Sequence, residues 1–297
     1  MAGPLELVGL SSVMARSAGR SEVVVGLIDG PVAVGHPGLA GRRVVVLPGG
    51  GGGTRAGACD VADGGASCLH GTFVAGVLSG RRSSGAPGVC PGCTLLVRPI
   101  FAGDGPGRRT GPAARLEDLA AAVVECVDAG ARVLNLSAAP ERPSSAGNRE
   151  LEGALDHAAA HGVITVVAAG NQGALGSSAI VRHPWAVPVV AYDRRGRPMD
   201  LSNLGGSIGG RGVGAPGEAV ASLGPGGRPL VLTGTSAAAP FVAGTVALLL
   251  SEFPGATPAA VRAAVLASGR GPRRSVVPPL LDAGAARAGL LASYGRR

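Results

Sequence analysis

Four side chains with distinct chemistry stand at the ends of apolar segments in this sequence. Asp29 and Asn171 each follow a run rich in β-branched residues, whereas His70 and Ser236 each begin a stretch rich in alanine and valine. Catalytic groups of open α/β sheets gather where the carboxyl ends of parallel strands meet. We therefore expect the carboxylate, the imidazole and the hydroxyl to lie within hydrogen-bonding reach, although they are far apart in the sequence.

These residue types predict acyl-transfer chemistry. A serine hydroxyl is a weak nucleophile at neutral pH unless a base removes its proton, and His70 can be that base. Asp29 would fix the tautomer of His70 and stabilise the imidazolium that forms. Ser236 at a helix N-terminus would place its own N–H near developing negative charge, and Asn171 could donate a side-chain N–H to the same charge. The competing interpretation makes each residue structural: a helix cap, a buried histidine and a turn serine.

The elements that must position these residues alternate along the chain. Short β-branched runs alternate with alanine-rich helical stretches, which is typical of a mostly parallel, twisted sheet with helices on both faces. The predicted strands are Val23–Ile28, Arg43–Leu47, Thr94–Ile100, Val133–Ser137, Val163–Ala168 and Ala186–Ala191, and the predicted helices are His70–Ser79, Leu116–Ala129, Arg149–His161, Ser236–Glu252 and Pro258–Ala267. The fold class is therefore α/β, with an N-terminal extension at residues 1–20 and one domain at residues 21–297.

The composition allows a packed core and excludes several classes of protein. Glycine and proline make up about a quarter of the 297 residues, but 46% of residues are apolar and only 15% are charged. With one Trp, two Tyr and four Phe, the core must be built mainly from Val, Leu and Ala. This composition excludes a collagen-like fibre, a coiled coil and a disulfide-dense mini-domain.

Charge and hydropathy restrict the partners. The net charge of +8 could attract nucleic acid, but the arginines are scattered between turns without interleaved aromatic residues. We therefore expect no nucleic-acid partner. The positive charge is interpreted instead as arginines in solvated loops, or as a surface that attracts an acidic peptide. No window of 18 uninterrupted apolar residues and no signal peptide are visible, so we expect a cytoplasmic protein without a membrane partner.

The segments around the four residues resemble those of the subtilisin-like serine protease family, whose triad runs in the order Asp, His, Ser. The motifs are His70-Gly-Thr followed by Val-Ala-Gly, then Ala-Ala-Gly-Asn171, and then Gly-Thr-Ser236 followed by Ala-x-Pro. The resemblance implies a three-layer subtilisin-like fold and a serine endopeptidase. It also implies Asp29, His70 and Ser236 as the triad and Asn171 as the oxyanion donor.

Finer features are similar to cyanobactin maturation proteases, which trim ribosomally made, modified peptides. Asp29-Gly-Pro-Val replaces the usual Asp-Thr-Gly or Asp-Ser-Gly, and Cys68 stands two residues before His70. Phe73, where most relatives have a second His, is expected to affect packing rather than chemistry. The implied substrate is a precursor peptide of a natural product, with a leader acidic enough to be drawn to the arginine-rich surface.

Two alternatives keep the fold but change the function. A macrocyclase would pass the acyl group to the peptide's own amine, although the glycine-rich stretch between Asp29 and His70 shows no helical lid that would exclude water. A non-catalytic homologue would only bind peptides, and the complete triad counts against it.

The resemblance also implies a substrate-binding edge. Ser137, Ala138 and Ala139 match the family's Ser-Leu-Gly edge, where the peptide adds as an extra strand, and Gly170 is assigned to the same surface. Counting without gaps from Asn171 places Arg182 where the family commonly has glycine at the floor of the S1 pocket. A guanidinium there would favour an acidic side chain before the scissile bond, unless Arg182 turns to solvent or the loop lengths differ.

The five cysteines allow several states. Cys126 is expected to be a buried thiol in a helix. Cys90-Pro-Gly-Cys93 is compatible with a redox pair, or with half of a zinc site completed by Cys59 and Cys68. A disulfide from Cys68 to the Cys90–Cys93 segment is a further alternative, and free thiols are favoured over all of these. No loop is oxygen-rich enough to predict calcium, so we predict no cofactor.

Overall fold

A parallel sheet forms the centre of the fold, and Asp29 lies at the carboxyl end of one of its inner strands. The structure, a computed structural model, describes residues 3–48, 59, 65–101, 114–137, 147–224 and 227–295. The strands are β1 (Val24–Asp29), β2 (Val44–Val46), β3 (Thr94–Pro99), β4 (Val133–Leu136), β5 (Ile164–Ala168), β6 (Val187–Tyr192), β7 (Val213–Pro216), β8 (Val220–Ser222) and β9 (Leu230–Leu232). Within the described ranges, the first seven form one parallel sheet in the order β2-β3-β1-β4-β5-β6-β7, and β8 and β9 form an antiparallel pair.

The order of the strands places β1 at a topological switch point. From β1 the chain continues to β2 and β3 on one side, whereas from β4 it continues to β5 on the other. Asp29 pairs with Pro99 of β3, and Ile28 pairs with Leu136 of β4. Ligands of open α/β sheets bind outside the carboxyl ends of the strands at such a point. The last residue of β1 therefore stands where this architecture forms its crevice.

Helices cover both faces of the sheet. They are α1 (Pro4–Leu7), α2 (Leu10–Met14), α3 (Ala66–Ser79), α4 (Leu116–Asp128), α5 (Arg149–Ala160), α6 (Ala179–Arg182), α7 (Gly206–Arg211), α8 (Thr235–Glu252), α9 (Pro258–Ala267) and α10 (Ala283–Tyr294). A Cβ on Gly26 would lie 3.4 Å from the Cβ of Cys126, so this side of β1 faces α4. Because side chains alternate along a strand, Asp29 faces the opposite layer, which holds α3 and α8.

Helix α8 is the central helix of that layer. It packs against β4, β5, β6 and β7, and nearly all its side chains are buried, including those of Phe241 and Leu249. Among the described residues it is the helix long and apolar enough to cross a membrane, but 89% of its apolar window is buried within the protein. Burial on every side explains why its sequence is apolar all round.

The N-terminal helices pack onto the same domain. Val8, Leu10 and Val13 are fully buried, and the N–H of Ala283 donates to the carbonyl of Val8. The guanidinium of Arg82 donates to the carbonyl of Met14 at 2.8 Å. These contacts join the N-terminal helices to the start of α10 and to the turn that follows α3.

Candidate active site

A short hydrogen bond joins the predicted acid and base. Asp29 is the last residue of β1 and its side chain is completely buried. Its Oδ1 lies 2.6 Å from Nδ1 of His70 and accepts the backbone N–H of Gly30 at 2.6 Å. Because a carboxylate can only accept, Nδ1 of His70 carries the proton and the Nε2 lone pair remains available to act as a base. The side chain of His70 is 24% exposed, so solvent and ligands have access to it.

Two glycines bring the loop after β1 against the helix that carries His70. A Cβ on Gly30 would lie 2.0 Å from the carbonyl oxygen of Ser67, and a Cβ on Gly71 would lie 2.5 Å from the carbonyl oxygen of Gly30. The hydroxyl of Thr72 also accepts the N–H of Ala33 at 2.9 Å. The Asp-Gly-Pro-Val variant of the motif is therefore explained by close packing, since no larger residue fits after Asp29.

Helix α3 begins earlier than the sequence predicts. It starts at Ala66, so His70 lies in its second turn rather than in the first. The N-cap position is Gly65, which has no side chain to cap the helix, and no proline follows it in the first turn. A prediction that begins the helix at the first recognisable motif therefore starts one turn late.

A disulfide joins Cys59 to Cys68, which corrects the sequence interpretation. Free thiols at these positions, and a bond from Cys68 to the Cys90–Cys93 segment, were both wrong. The N–H of Cys59 donates to the carbonyl of Val32, so the disulfide connects the loop after Asp29 to helix α3. Cys90, Cys93 and Cys126 are buried free thiols. Among the described residues, no group of three or more His, Cys, Asp or Glu side chains is arranged to hold a metal ion.

The environment of His70 favours its charged form. Burial of the imidazole is the largest single influence and lowers its pKa, but the charge of Asp29 and its hydrogen bond together outweigh burial. The pKa of His70 is therefore raised above its ordinary value. A histidine with this balance is well suited to accept a proton in a transition state, because the imidazolium that forms is already stabilised.

Asn171 lies against the start of helix α8. Its Oδ1 accepts the N–H of Thr235 at 2.8 Å and the hydroxyl of Thr235 at 3.0 Å. The N–H of Gly170 donates to the same hydroxyl at 3.1 Å. Among the described residues, both of these contacts of the carboxamide use its oxygen and leave the Nδ2 donor for other partners. A Cβ on Gly234 would lie 2.9 Å from this Nδ2, and its φ of 143° also favours glycine.

Ser236 is the second residue of α8 and is half-buried. It directly follows Thr235, the residue that Asn171 holds. Among the first N–H groups of α8, that of Thr235 donates to Asn171, and those of Ala237 and Ala238 donate to the carbonyl of Gly234. Among the described residues the N–H of Ser236 has no such acceptor, so it offers a donor beside the serine hydroxyl. Thr235 was not predicted to take part, although the Gly-Thr-Ser motif contains it.

The predicted substrate-binding residues lie in different parts of the structure. Ser137 follows β4, and its hydroxyl accepts the side-chain N–H of Asn135 at 2.9 Å. Ala138 and Ala139 lie outside the described residues. Both backbone polar groups of Gly170 are bonded within the protein, to Thr235 and to Asn203.

Arg182 is the last residue of the short helix α6 and is half-buried. Its carbonyl accepts a guanidinium N–H of Arg211 at 2.7 Å. This contact anchors the backbone at the position assigned to the S1 floor. The specificity assigned to the Arg182 side chain stays a prediction.

Comparison with known proteins decides the family. Residues 20–295 match the model of the subtilase family. This chain belongs to the subtilase family. Fervidolysin from Fervidobacterium pennivorans and subtilisin DY from Bacillus licheniformis are each 30% identical over 87% of the chain. The chain covers 87% of subtilisin DY but 39% of fervidolysin, and it spans about half the length of several other subtilases that it matches.

Solved structures agree with the family. The protease domain of PatA superposes with a TM-score of 0.82 at 33% identity, covering 93% of this chain and 97% of that domain. The prenylagaramide maturation protease PagA gives a TM-score of 0.82 at 28% identity, with 95% and 98% covered. The PatG macrocyclase in complex with peptide gives 0.80 at 22% identity, with 95% of each chain covered, and supports the fold alone.

These relatives confirm the α/β subtilisin-like fold and the resemblance to cyanobactin maturation proteases. Subtilase homologues are serine endopeptidases, and the chain comprises a serine protease domain of this family.

Proposed function

We propose that this domain is an endopeptidase whose triad is Asp29, His70 and Ser236. The observation that carries the proposal is the 2.6 Å hydrogen bond between the buried carboxylate and His70 Nδ1, at the sheet edge where the family motifs also fall. A buried acid, an imidazole whose Nε2 lone pair can accept a proton and a serine at a helix N-terminus are the three parts that acyl transfer needs.

Each residue then has one chemical role. Nε2 of His70 takes the proton of the Ser236 hydroxyl as its oxygen attacks the peptide carbonyl. The oxyanion that forms accepts hydrogen bonds from Nδ2 of Asn171 and from the N–H of Ser236. His70 then gives its proton to the leaving amine, and a water molecule, deprotonated by His70, releases the acyl group from Ser236. Asp29 keeps its hydrogen bond to Nδ1 and stabilises the imidazolium.

The proposed substrate is a ribosomally made precursor peptide. The names of PatA and PagA as maturation proteases, and their coverage of nearly the whole chain, support this class. An extended peptide would pair with the edge that follows β4, where Ser137, Ala138 and Ala139 lie in sequence. The net charge of +8 would attract an acidic leader from a distance. Arg182 would add a preference for an acidic residue before the cleaved bond.

Covalent labelling tests the catalytic assignment. A fluorophosphonate probe should label the native chain, and Ser236→Ala should abolish both labelling and the cleavage of labelled casein. Labelling that persists in Ser236→Ala would reject this serine as the nucleophile. A folded native chain that the probe does not label would instead favour a non-catalytic peptide-binding homologue.

Product mass distinguishes hydrolysis from cyclisation. A precursor peptide encoded near this chain should yield linear products whose summed mass exceeds that of the precursor by one water. A product lighter by one water than the corresponding linear peptide would show that the acyl group passes to the peptide's own amine.

Arg182→Gly should reduce the preference for an acidic residue before the cleaved bond, measured with peptides varied at that position. Equal cleavage after Asp, Ala and Arg by the native chain would remove the role of Arg182.

A further inference from the structure

Asn203 makes several hydrogen bonds to the loop that carries Asn171. It is 5% exposed and lies in the turn between β6 and α7. Its Oδ1 accepts the N–H of Gln172 at 3.1 Å and that of Ala174 at 3.0 Å. Its Nδ2 donates to Oε1 of Gln172 at 2.7 Å, and its backbone N–H donates to the carbonyl of Gly170 at 2.9 Å.

These bonds hold the residues on either side of Asn171. Residues 170, 172 and 174 are each bonded to Asn203, whereas the side chain of Asn171 is bonded to Thr235 in α8. A Cβ on Gly170 would lie 2.3 Å from Nδ2 of Asn203, and the φ of Gly170 is 103°. The turn around Asn203 and the loop around Asn171 are thus packed too closely for either to shift alone.

A carboxamide is the side chain that fits this role. Its oxygen accepts two backbone N–H groups while its nitrogen donates to Gln172, so it must be both acceptor and donor. Aspartate would keep the two accepted bonds but lose the one that Nδ2 donates, so the carboxamide of Gln172 would have to turn and donate instead. Alanine would remove all the side-chain bonds and leave two loop N–H groups without that partner.

We infer that Asn203 is the residue that positions the oxyanion donor Asn171. This inference rests on the proposed function, because it assumes that Asn171 donates to the oxyanion. Stabilisation of an oxyanion depends on donors fixed at about 2.7–3.1 Å from the position that the charged oxygen will occupy. Asn203 bonds the loop on both sides of Asn171, and it thereby fixes Nδ2 of Asn171 at hydrogen-bonding distance from the future oxyanion before the substrate arrives.

The test compares rates of Ser236 labelling by a fluorophosphonate, which builds negative charge on a phosphoryl oxygen in the same place. Asn203→Ala should lower the maximal labelling rate about 10- to 100-fold and leave the half-saturating probe concentration within about twofold. In an Asn171→Ala background, the same substitution should lower the rate less than about threefold, because the donor it positions is absent. Asn203→Asp keeps both accepted N–H bonds, so its maximal labelling rate should lie between that of the native chain and that of Asn203→Ala.

Ser202→Ala is the matched control. Ser202 is the neighbouring residue, is 2% exposed, and uses its hydroxyl to bond the backbone of Ala191 in β6 rather than the loop of Asn171. It should lower the thermal midpoint but leave the labelling rate within about twofold. Fully additive losses for Asn203→Ala and Asn171→Ala, or equal rate losses for Ser202→Ala and Asn203→Ala, would overturn the inference.

Two further outcomes keep the conclusions separate. If Asn203→Ala does not fold, Asn203→Ser, whose shorter side chain cannot accept from both loop N–H groups in the same way, carries the same comparison, and a native labelling rate in that variant would overturn the inference. Labelling of Ser236→Ala at the native rate would reject the proposed nucleophile whatever Asn203 does.

Discussion

The two halves of the site are built in different ways. In the acid–base half, one charged hydrogen bond joins Asp29 to His70, and Oδ2 of Asp29 is buried without a partner among the described residues. In the oxyanion half, Asn171 is held by neutral hydrogen bonds to Thr235 and by a loop that is bonded to Asn203. The first half depends on one charged group, the carboxylate of Asp29, which bonds His70 and the N–H of Gly30, whereas the second half depends on several uncharged groups.

The supports of the two halves differ as well. The loop after Asp29 is tied to the helix of His70 through the Cys59–Cys68 disulfide and the contact of Cys59 with Val32. Close approaches at glycine support both halves, at Gly30 and Gly71 in the first and at Gly170 in the second. Among the described residues, the loop of Asn171 is held by hydrogen bonds without a disulfide. We therefore expect charge, pH and redox state to affect the first half, and only geometry to affect the second.

The largest expected effect comes from removing the charge of the first half. Asp29→Asn should lower kcat by about 10⁴-fold, because an amide no longer fixes the tautomer of His70 or stabilises its imidazolium. Steady-state cleavage of a peptide substrate by the folded variant measures the loss. A loss below about tenfold would show that another group orients His70, and the contrast between the halves would disappear.

The next effect comes from the second half. Asn171→Ala should lower kcat by about 10²- to 10³-fold with little change in KM, the range known for removal of one such donor in subtilisin, a member of the same family. The loss should be equal at every pH, since no titrating group is removed. An unchanged kcat in this variant would leave the oxyanion without its proposed side-chain donor.

Reduction of the disulfide should destabilise the first half. Closing a loop of about ten residues stabilises a fold by about 2–3 kcal/mol in the chain-entropy account. Dithiothreitol should therefore lower the free energy of unfolding of the native chain by about that amount, measured by urea denaturation.

The controls use cysteines in both states. Cys59→Ser should show no response to the reductant, whereas Cys126→Ala, which changes a buried free thiol, should keep it. A native chain that responds no more than Cys59→Ser would mean that the disulfide contributes little to stability.

Sequence patterns predicted the main sheet and helices because their signals are local. Every predicted strand and helix is present, and the ends agree within about one residue except at the start of α3. The helices α1, α2, α6, α7 and α10 and the strands β7, β8 and β9 were not predicted. All of them except α10 have three to six residues, which is too few to show a hydrophobic period, so tertiary packing rather than local preference determines them.

The site was predicted less evenly. Motifs located Asp29 and His70, whose contact the structure shows. The roles of Thr235 and Asn203 were not predicted, because each residue acts by hydrogen bonds to the Asn171 loop, which is distant from it in the sequence. The partner of Cys68 was also missed, because cysteine spacing does not determine connectivity. The residues that support the site are therefore less visible in the sequence than the ones proposed to react.

The finest test of the contrast is the pH dependence of His70. The pKa of His70 is raised above its ordinary value of 6.5. Because the base must be neutral to accept a proton, kcat/KM should rise with pH only above that value, as His70 loses its proton. Asp29→Asn removes the two influences that raise the pKa and leaves burial, which lowers it. The titration of His70, followed by NMR in a Ser236→Ala background, should therefore move to lower pH, whereas Asn171→Ala should not move it.

The same shift has a consequence for folding. Because the folded pKa exceeds the unfolded one, the pair of His70 and Asp29 contributes its full stability below about pH 6.5 and loses it as pH rises through the raised pKa. The free energy of unfolding of the native chain should thus fall across that window relative to Asp29→Asn. If the free energies of unfolding of the two proteins changed with pH in parallel, Asp29 would not raise the pKa of His70 in the folded state.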